Sequence, residues 1–315
     1  MAALRIVFMG TAKLSCDSLG GLMESPDFQV AAVVTQPDRP KGRDLKLQPS
    51  PVKELGLQAG LPVLQPERAR SEAFLEELRR LRPELIVVVA YGQILPPGIL
   101  NLPRFGCLNV HTSLLPGYRG AAPIQWAMLN GDVETGVTIM KMDAGLDTGG
   151  ILTQAKTQIL QEDTAETLHD RLARIGAELL ARTIPDYVAG RITPRDQPVE
   201  GVSYAPKIKK QDGCIDWRQP ARAIWNRVRG LVPWPGAFSF LPSQSQPLML
   251  KIWQAEIADC SGPPGELLRA DKSGIVVGCG DMALRILMLQ REGGRRLEAQ
   301  AFLAGHPLQA GQKLG

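Results

Sequence analysis

The sequence is poor in the residues that metal and disulfide chemistry require. Its five cysteines, at positions 16, 107, 214, 260 and 279, are odd in number and contain no C-x-x-C pair. Neither a disulfide framework nor a zinc site is indicated, and a reducing cytosol is expected. Three histidines, His111, His169 and His306, leave few candidates for imidazole chemistry. No run reaches the roughly 18 to 20 apolar residues of a membrane span. The opening residues Met1 to Arg5 lack the basic region, apolar core and cleavage site of a secretory leader, so a soluble, cytoplasmic chain with no membrane partner is expected. No G-x-G-x-x-G follows the first apolar run, which disfavours a nicotinamide dehydrogenase.

What is present is ordinary globular composition: 315 residues, 44% hydrophobic and 22% charged. That length predicts about two domains on a prior of roughly 150 residues each. The net charge of +4 conceals an uneven distribution, because residues 206–315 hold 15 basic and 9 acidic residues and the remainder 21 and 23. The back third is therefore at +6 and the front two thirds at −2, a basic tail domain on a nearly neutral body.

Residues 4–9 (LRIVFM) read as a buried parallel strand, being short, apolar and followed at once by Gly10. Further strands are predicted at 29–35, 84–90, 107–111 and 135–142. A helix is predicted over 72–81, where Phe74, Leu75, Leu78 and Leu81 recur on one face. This alternation predicts an α/β class, a Rossmann-like, mostly parallel sheet covered by helices over residues 1–190, with ligands outside the carboxyl ends of its strands. A long helix over 164–189 stops at Gly190. Residues 191–210, with Pro194, Pro198 and Pro206, are expected to form the interdomain connection. Beyond it come a short helix near 220–229 and strand-like segments at 237–241, 248–257, 274–278 and 283–289. These predict a small β-barrel over 211–315, of which the oligonucleotide-binding type is one form.

Asn109 and His111 end one predicted strand two residues apart, so both side chains lie on one face at the carboxyl edge of the sheet. Taken alone, the pair reads first as polar groups that close a strand end with hydrogen bonds to the next loop. His169 and His306 read as surface residues. The next segment, SLLPGYRGAAPIQWA (113–127), leads into a helix opening near Pro123. Backbone amides at such a start can receive a carboxylate or the edge of a flat heterocycle, although a plain surface connection has the same composition. A second loop, DAGLDTGG (143–150), places Asp143 and Asp147 between glycines. Gly145 and Gly149 are expected to let the backbone turn back over the sheet edge. Acids in such loops are more often turn formers than catalysts.

Together these pieces resemble the methionyl-tRNA formyltransferases, within the folate-dependent formyltransferases. The resemblance is carried by FMGT (8–11), TQPDRPKGR (35–43), PSPVK (49–53), VVVAYGQILP (87–96), NVHTSLLPGYRGAAPIQWA (109–127), GVTIMKMDAGLDTGGIL (136–152), YAPKIKKQDGCIDW (204–217) and RGLVPWPGAF (229–238), in order along nearly the whole chain. The Asn, His, SLLP and distant Asp pattern is shared with formyltransferases acting on glycinamide ribonucleotide and amino sugars; the IDW and PWPGA blocks and the basic tail point to the tRNA enzymes.

The resemblance implies transfer of a formyl group from 10-formyltetrahydrofolate to the amino group of methionyl initiator tRNA by a monomer without metal. The residue types suit that chemistry, since an amine attacking a formyl carbon develops an oxyanion and an ammonium. Asn109 and a protonated His111 can stabilise the first, and Asp147 can orient the imidazole and take or relay the proton of the second. By the same resemblance, the pterin would contact Tyr91, Gly92, Ile94, Leu95, Asp143 and Gly145, with Ser113, Leu114, Leu115, Pro116, Gly117, Tyr118 and Arg119 on its other side. Gly10, Arg43, Lys207, Lys209 and Lys210 would meet the tRNA.

The chain departs from the usual family pattern at four places: Ala12 to Ser15 after FMGT, Asp44 and Leu45 in the basic loop, Thr112 beside His111, and Gly117. Altered fine specificity is expected from these ahead of lost activity. The competing readings are a formyltransferase for a nucleotide-linked amino sugar, which would not need the basic tail, and a noncatalytic RNA-binding module.

Overall fold

The computed structural model describes residues 3–41, 46–242 and 246–315. By backbone packing the chain divides into two compact units, one of Met1–Pro123, Glu134–Gln158 and His169–Pro206, the other of Ile124–Val133, Ile159–Leu168 and Lys207–Gly315. The stretch 191–210 is thus shared, its residues up to Pro206 packing in the first unit.

Ten short strands build most of the first unit: β1 (Leu4–Gly10), β2 (Phe28–Val34), β3 (Arg39–Lys41), β4 (Lys46–Gln48), β5 (Val63–Leu64), β6 (Leu85–Val89), β7 (Cys107–His111), β8 (Arg119–Gly120), β9 (Glu134–Lys141) and β10 (Ile151–Gln158). Between them run α1 (Leu14–Glu24), α2 (Pro51–Gln58), α3 (Glu72–Leu81) and α4 (Pro97–Leu100), with β11 (Tyr204–Ala205) after them; α5 (Pro123–Asn130) belongs almost wholly to the second unit, and α6 (Ala165–Val188) starts in the second unit and continues in the first from His169. Seven strands form one sheet in the order β10-β9-β7-β6-β1-β2-β5. The five strands from β7 to β5 are parallel, and β9 and β10 are added antiparallel at one edge. Every residue of β6 and β7 is buried, as strands covered on both faces must be.

Local chemistry sets the helix ends. Ser50 accepts a hydrogen bond from the Lys53 amide at 3.0 Å and Pro51 opens α2, a side-chain cap followed by proline at the first helical position. In α3 the buried Phe74 and Leu78 stand four residues apart on one face, and Arg82 in the left-handed conformation (φ +49°) ends the helix. Gly176 of α6 sits so close to Val110 that a Cβ there would press on its methyl group. The chain leaves β1 toward β2 on one side, while β6 returns on the other, so the crevice beyond β1, β6 and β7 lies at the topological switch point.

The second unit carries α7 (Ala221–Gly230), β12 (Ala237–Leu241), β13 (Leu248–Ala258), β14 (Leu267–Asp271), β15 (Gly274–Gly278), β16 (Ala283–Arg291), β17 (Arg296–Glu298) and α8 (Ala299–Gly305). Its antiparallel sheet runs β12-β13-β16-β15-β14, with β17 paired to β16. Residues 311–315 close the circle. Phe240 and Gly315 exchange backbone hydrogen bonds of 2.8 and 2.9 Å on the β12 side, and the Leu314 and Gly311 amides donate to the carbonyls of Gly265 and Leu267 at 2.8 Å on the β14 side. Trp217, Ile224, Val228, Ile252, Phe302 and Leu314 fill the interior. No helix among the described residues is long and apolar enough to cross a membrane.

Candidate active site

β6 and β7 end side by side, and the two-residue period of β7 turns Asn109 and His111 to the same face. The loop after β9 brings Asp147 to them. Its Oδ1 accepts from Asn109 Nδ2 at 3.4 Å, its Oδ2 accepts from the Gly120 amide at 2.8 Å, and the same oxygen lies 3.7 Å from His111 Nδ1. All three side chains are shielded, at 9% exposure for Asn109, 5% for His111 and 15% for Asp147. The other ring nitrogen, His111 Nε2, lies 2.9 Å from the Tyr118 carbonyl. A carbonyl only accepts, so Nε2 carries the proton and Nδ1 is the atom left facing the carboxylate.

These groups border a cavity of about 530 Å³, within the range of small-molecule sites. Of the residues expected to contact a pterin, Tyr91, Gly92, Ile94, Leu95, Asp143 and Gly145 line it. Ile94 and Leu146, 84% and 56% exposed, give it aliphatic flanks. Polar groups on one side and aliphatic flanks beside them suit a folate, whose heterocycle needs hydrogen-bond partners and whose benzoyl group needs apolar contact. Tyr91 is 2% exposed and belongs to the core cluster with Val88 and Leu95. Its hydroxyl has no hydrogen-bond partner among the described residues, and burial pushes the phenol up to about 12.

Seven further expected residues lie outside the lining of this cavity. Ser113, Leu114, Leu115, Pro116, Gly117, Tyr118 and Arg119 are not among the residues that line the cavity; they form the loop between β7 and Gly120. Ser113 Oγ donates to the Gly117 carbonyl at 2.6 Å, the Leu115 amide donates to Thr138 Oγ1 at 3.1 Å, and Arg119 reaches Gln197. The cause is local: Tyr118 takes the left-handed conformation (φ +61°), which turns the chain back so that Gly120 and Ala121 reach the cavity instead. Gly10 is also off the cavity, buried in pairing with Val89, and a Cβ there would collide with Ser15. Lys207, Lys209 and Lys210 are exposed on the second unit. Arg43, Asp44 and Leu45 lie outside the described residues.

The two acids of the 143–150 loop part company. Asp143 Oδ1 accepts from the Gly145 amide at 3.0 Å and from Thr148 Oγ1 at 2.7 Å, the pattern of a turn former, whereas Asp147 faces the imidazole. The turn needs its glycines for close approach and not for a positive φ. Asp147 itself holds the positive φ of +53°, while Gly149 is required because a Cβ would collide with the Lys141 carbonyl. Of the departures, Leu14 and Thr112 enter the cavity wall, and Lys13 pairs with Asp170 at 3.1 Å. Gln197, in the proline-rich stretch, was not anticipated: its Nε2 donates to the carbonyls of Asp147 (2.7 Å) and Gly149 (2.8 Å).

An amide, an imidazole and a carboxylate gather at the strand ends of a Rossmann-like sheet, a set of donors and proton acceptors that suits group transfer. The model of the family described as "Formyl transferase" matches residues 4–184, and that of "Formyl transferase, C-terminal domain" matches 207–307. The methionyl-tRNA formyltransferase of Citrifermentans bemidjiense is 50% identical over 315 residues, spanning 100% of this chain and 98% of that one. That of Caldanaerobacter subterraneus subsp. tengcongensis is 50% identical over 98% and 99% of the two chains. Among solved structures, an N-formyltransferase from Helicobacter canadensis in complex with folinic acid and dTDP-3-aminofucose shares the fold, with a TM-score of 0.66, 19% identity and coverage of 90% and 99%. HypX from Aquifex aeolicus in complex with tetrahydrofolic acid matches at a TM-score of 0.65 and 18% identity, covering 96% of this chain and 47% of that one. This chain belongs to the formyl transferase family, among the methionyl-tRNA formyltransferases.

Proposed function

We infer that the chain transfers the formyl group of 10-formyltetrahydrofolate to the α-amino group of methionine carried on initiator tRNA. The observation that carries this reading is 50% identity along the whole chain with enzymes named for that reaction. When bound, the folate supplies an electrophilic formyl carbon; the remaining work falls to side chains at the strand ends. Asn109 Nδ2 is the donor for the developing oxyanion, and its present 3.4 Å bond to Asp147 is long enough to be given up easily. His111, fixed through Nε2 to the Tyr118 carbonyl, offers Nδ1 toward Asp147 as the route by which the amine's proton leaves. The second unit, with its basic surface including Lys207, Lys209 and Lys210, binds the tRNA by its phosphates. We assign the reaction to the cytosol and to a monomer, the latter checked by sedimentation velocity.

Purified protein, formyl donor and charged initiator tRNA should yield N-formylmethionyl-tRNA, and a blank result where a control enzyme works would remove the assignment. His111→Ala should lose about 10²-fold or more in kcat with little change in tRNA affinity. Wild-type turnover in that variant would take His111 out of the mechanism.

A further inference from the structure

We propose that Gln197, held by Arg119, is the positioning residue of Asp147. The proposal rests on the formyl-transfer reading for its kinetic part and on geometry alone for the rest. Arg119 donates to Gln197 Oε1 from Nε at 3.0 Å and from a terminal nitrogen at 2.7 Å. A guanidinium has donors only, so the carboxamide oxygen must face it, and the NH2 group must then face the two carbonyls it contacts, those of Asp147 and Gly149. Turning the amide over would set donors against donors and acceptors against acceptors, so Arg119 orients the amide that grips the loop.

The grip falls on a strained point. Asp147 adopts φ +53°, a conformation a non-glycine residue keeps only where its surroundings impose it. Holding its carbonyl and that of Gly149 sets the direction of the residue between strand and turn. That direction places one carboxylate oxygen on the Gly120 amide and near His111 Nδ1, and the other within reach of Asn109. Gln197 has a firm base from which to act. Ile151 and Arg195 exchange backbone bonds of 2.7 and 2.9 Å, and Ser203 receives the amides of Tyr118 and Arg119 at 2.9 Å each. The strap 195–205 thereby ties the loop bearing Asp147 to the loop bearing Gly120, and Arg119, which is not among the residues lining the cavity, acts through Gln197.

Gln197→Glu is the discriminating variant, because it keeps the size and the bond to Arg119 but replaces the two donors by an acceptor. Its kcat is expected to fall about 10²-fold while KM for both substrates stays within about twofold, with Gln197→Ala falling comparably. In the free protein, hydrogen exchange at the Gly120 amide should quicken about tenfold or more in Gln197→Glu, since its acceptor Asp147 is displaced. An unchanged melting temperature shows that the fold is intact; if Gln197→Glu melts early, the same two measurements are made on Arg119→Gln, expected to behave alike. Wild-type kcat, or wild-type exchange at Gly120, in the folded variant overturns the proposal. An inactive wild-type enzyme would instead overturn the formyl-transfer reading, leaving the exchange measurement to decide the positioning role.

Discussion

Cys107 and Cys279 lie inside the two units, and burial pushes each thiol up to about 12, whereas Cys214 and Cys260 are exposed. Cys16 is half-buried, and burial followed by the nearby Asp17 and Glu54 raises its thiol. Because the thiolate is the reactive form, a disulfide reagent at pH 8 should modify Cys214 and Cys260 quickly, Cys16 more slowly, and Cys107 and Cys279 only after denaturation. Fast modification of four or more thiols in native protein would contradict this. At this same scale the catalytic candidates differ in legibility. Asn109 and His111 could be read from the sequence because a strand's period is local. The roles of Asp143 and Asp147 could not be separated, since both are acids among glycines and only the loop's path shows which one bonds to its own turn. Arg119 lies in a motif that resembles a ligand contact, yet its partner, Gln197, is 78 residues away.

Among the elements, α3 and the strands β1, β6 and β7 follow their hydrophobic patterns closely, whereas β10, β14 and β17 went unpredicted. Those three lie toward sheet edges; β10 alternates half-buried and exposed residues, and a strand of that kind is defined by the neighbour it pairs with. Residues 311–315 are the extreme case, too short and polar to show any period, yet they close the barrel. Leu314, 6% exposed, is their one apolar anchor. Leu314→Ala should lower stability by about 2 kcal/mol or more and unpair the β12 and β14 edges. Urea unfolding of that variant, with exchange at the Phe240 amide as the local probe, tests both effects. Exchange at Phe240 equal to wild type would mean that closure does not depend on this side chain.

For the whole molecule the charge asymmetry sets the expectation. A domain at +6 binding a polyanion should lose affinity steeply with salt, and each phosphate contact removed lowers the slope of log K against log salt by about 0.9. Replacing Lys207, Lys209 and Lys210 by Ala together should therefore reduce the slope for initiator tRNA by up to about 3. A triple variant with the wild-type slope would place the phosphate contacts elsewhere. The α/β class, the helices and strands with strong periods, the Asn109 and His111 pair and the basic tail are legible in the residues alone, because period, spacing and charge are carried by neighbours along the chain. The acid that lies beside His111, the ring nitrogen nearest to it, the placement of residues 113–119 outside the cavity lining and the bonds from Gln197 to the carbonyls of Asp147 and Gly149 emerge only from the folded chain. Each of those depends on loops separated by tens of residues meeting where strands end, and local patterns carry no record of that meeting.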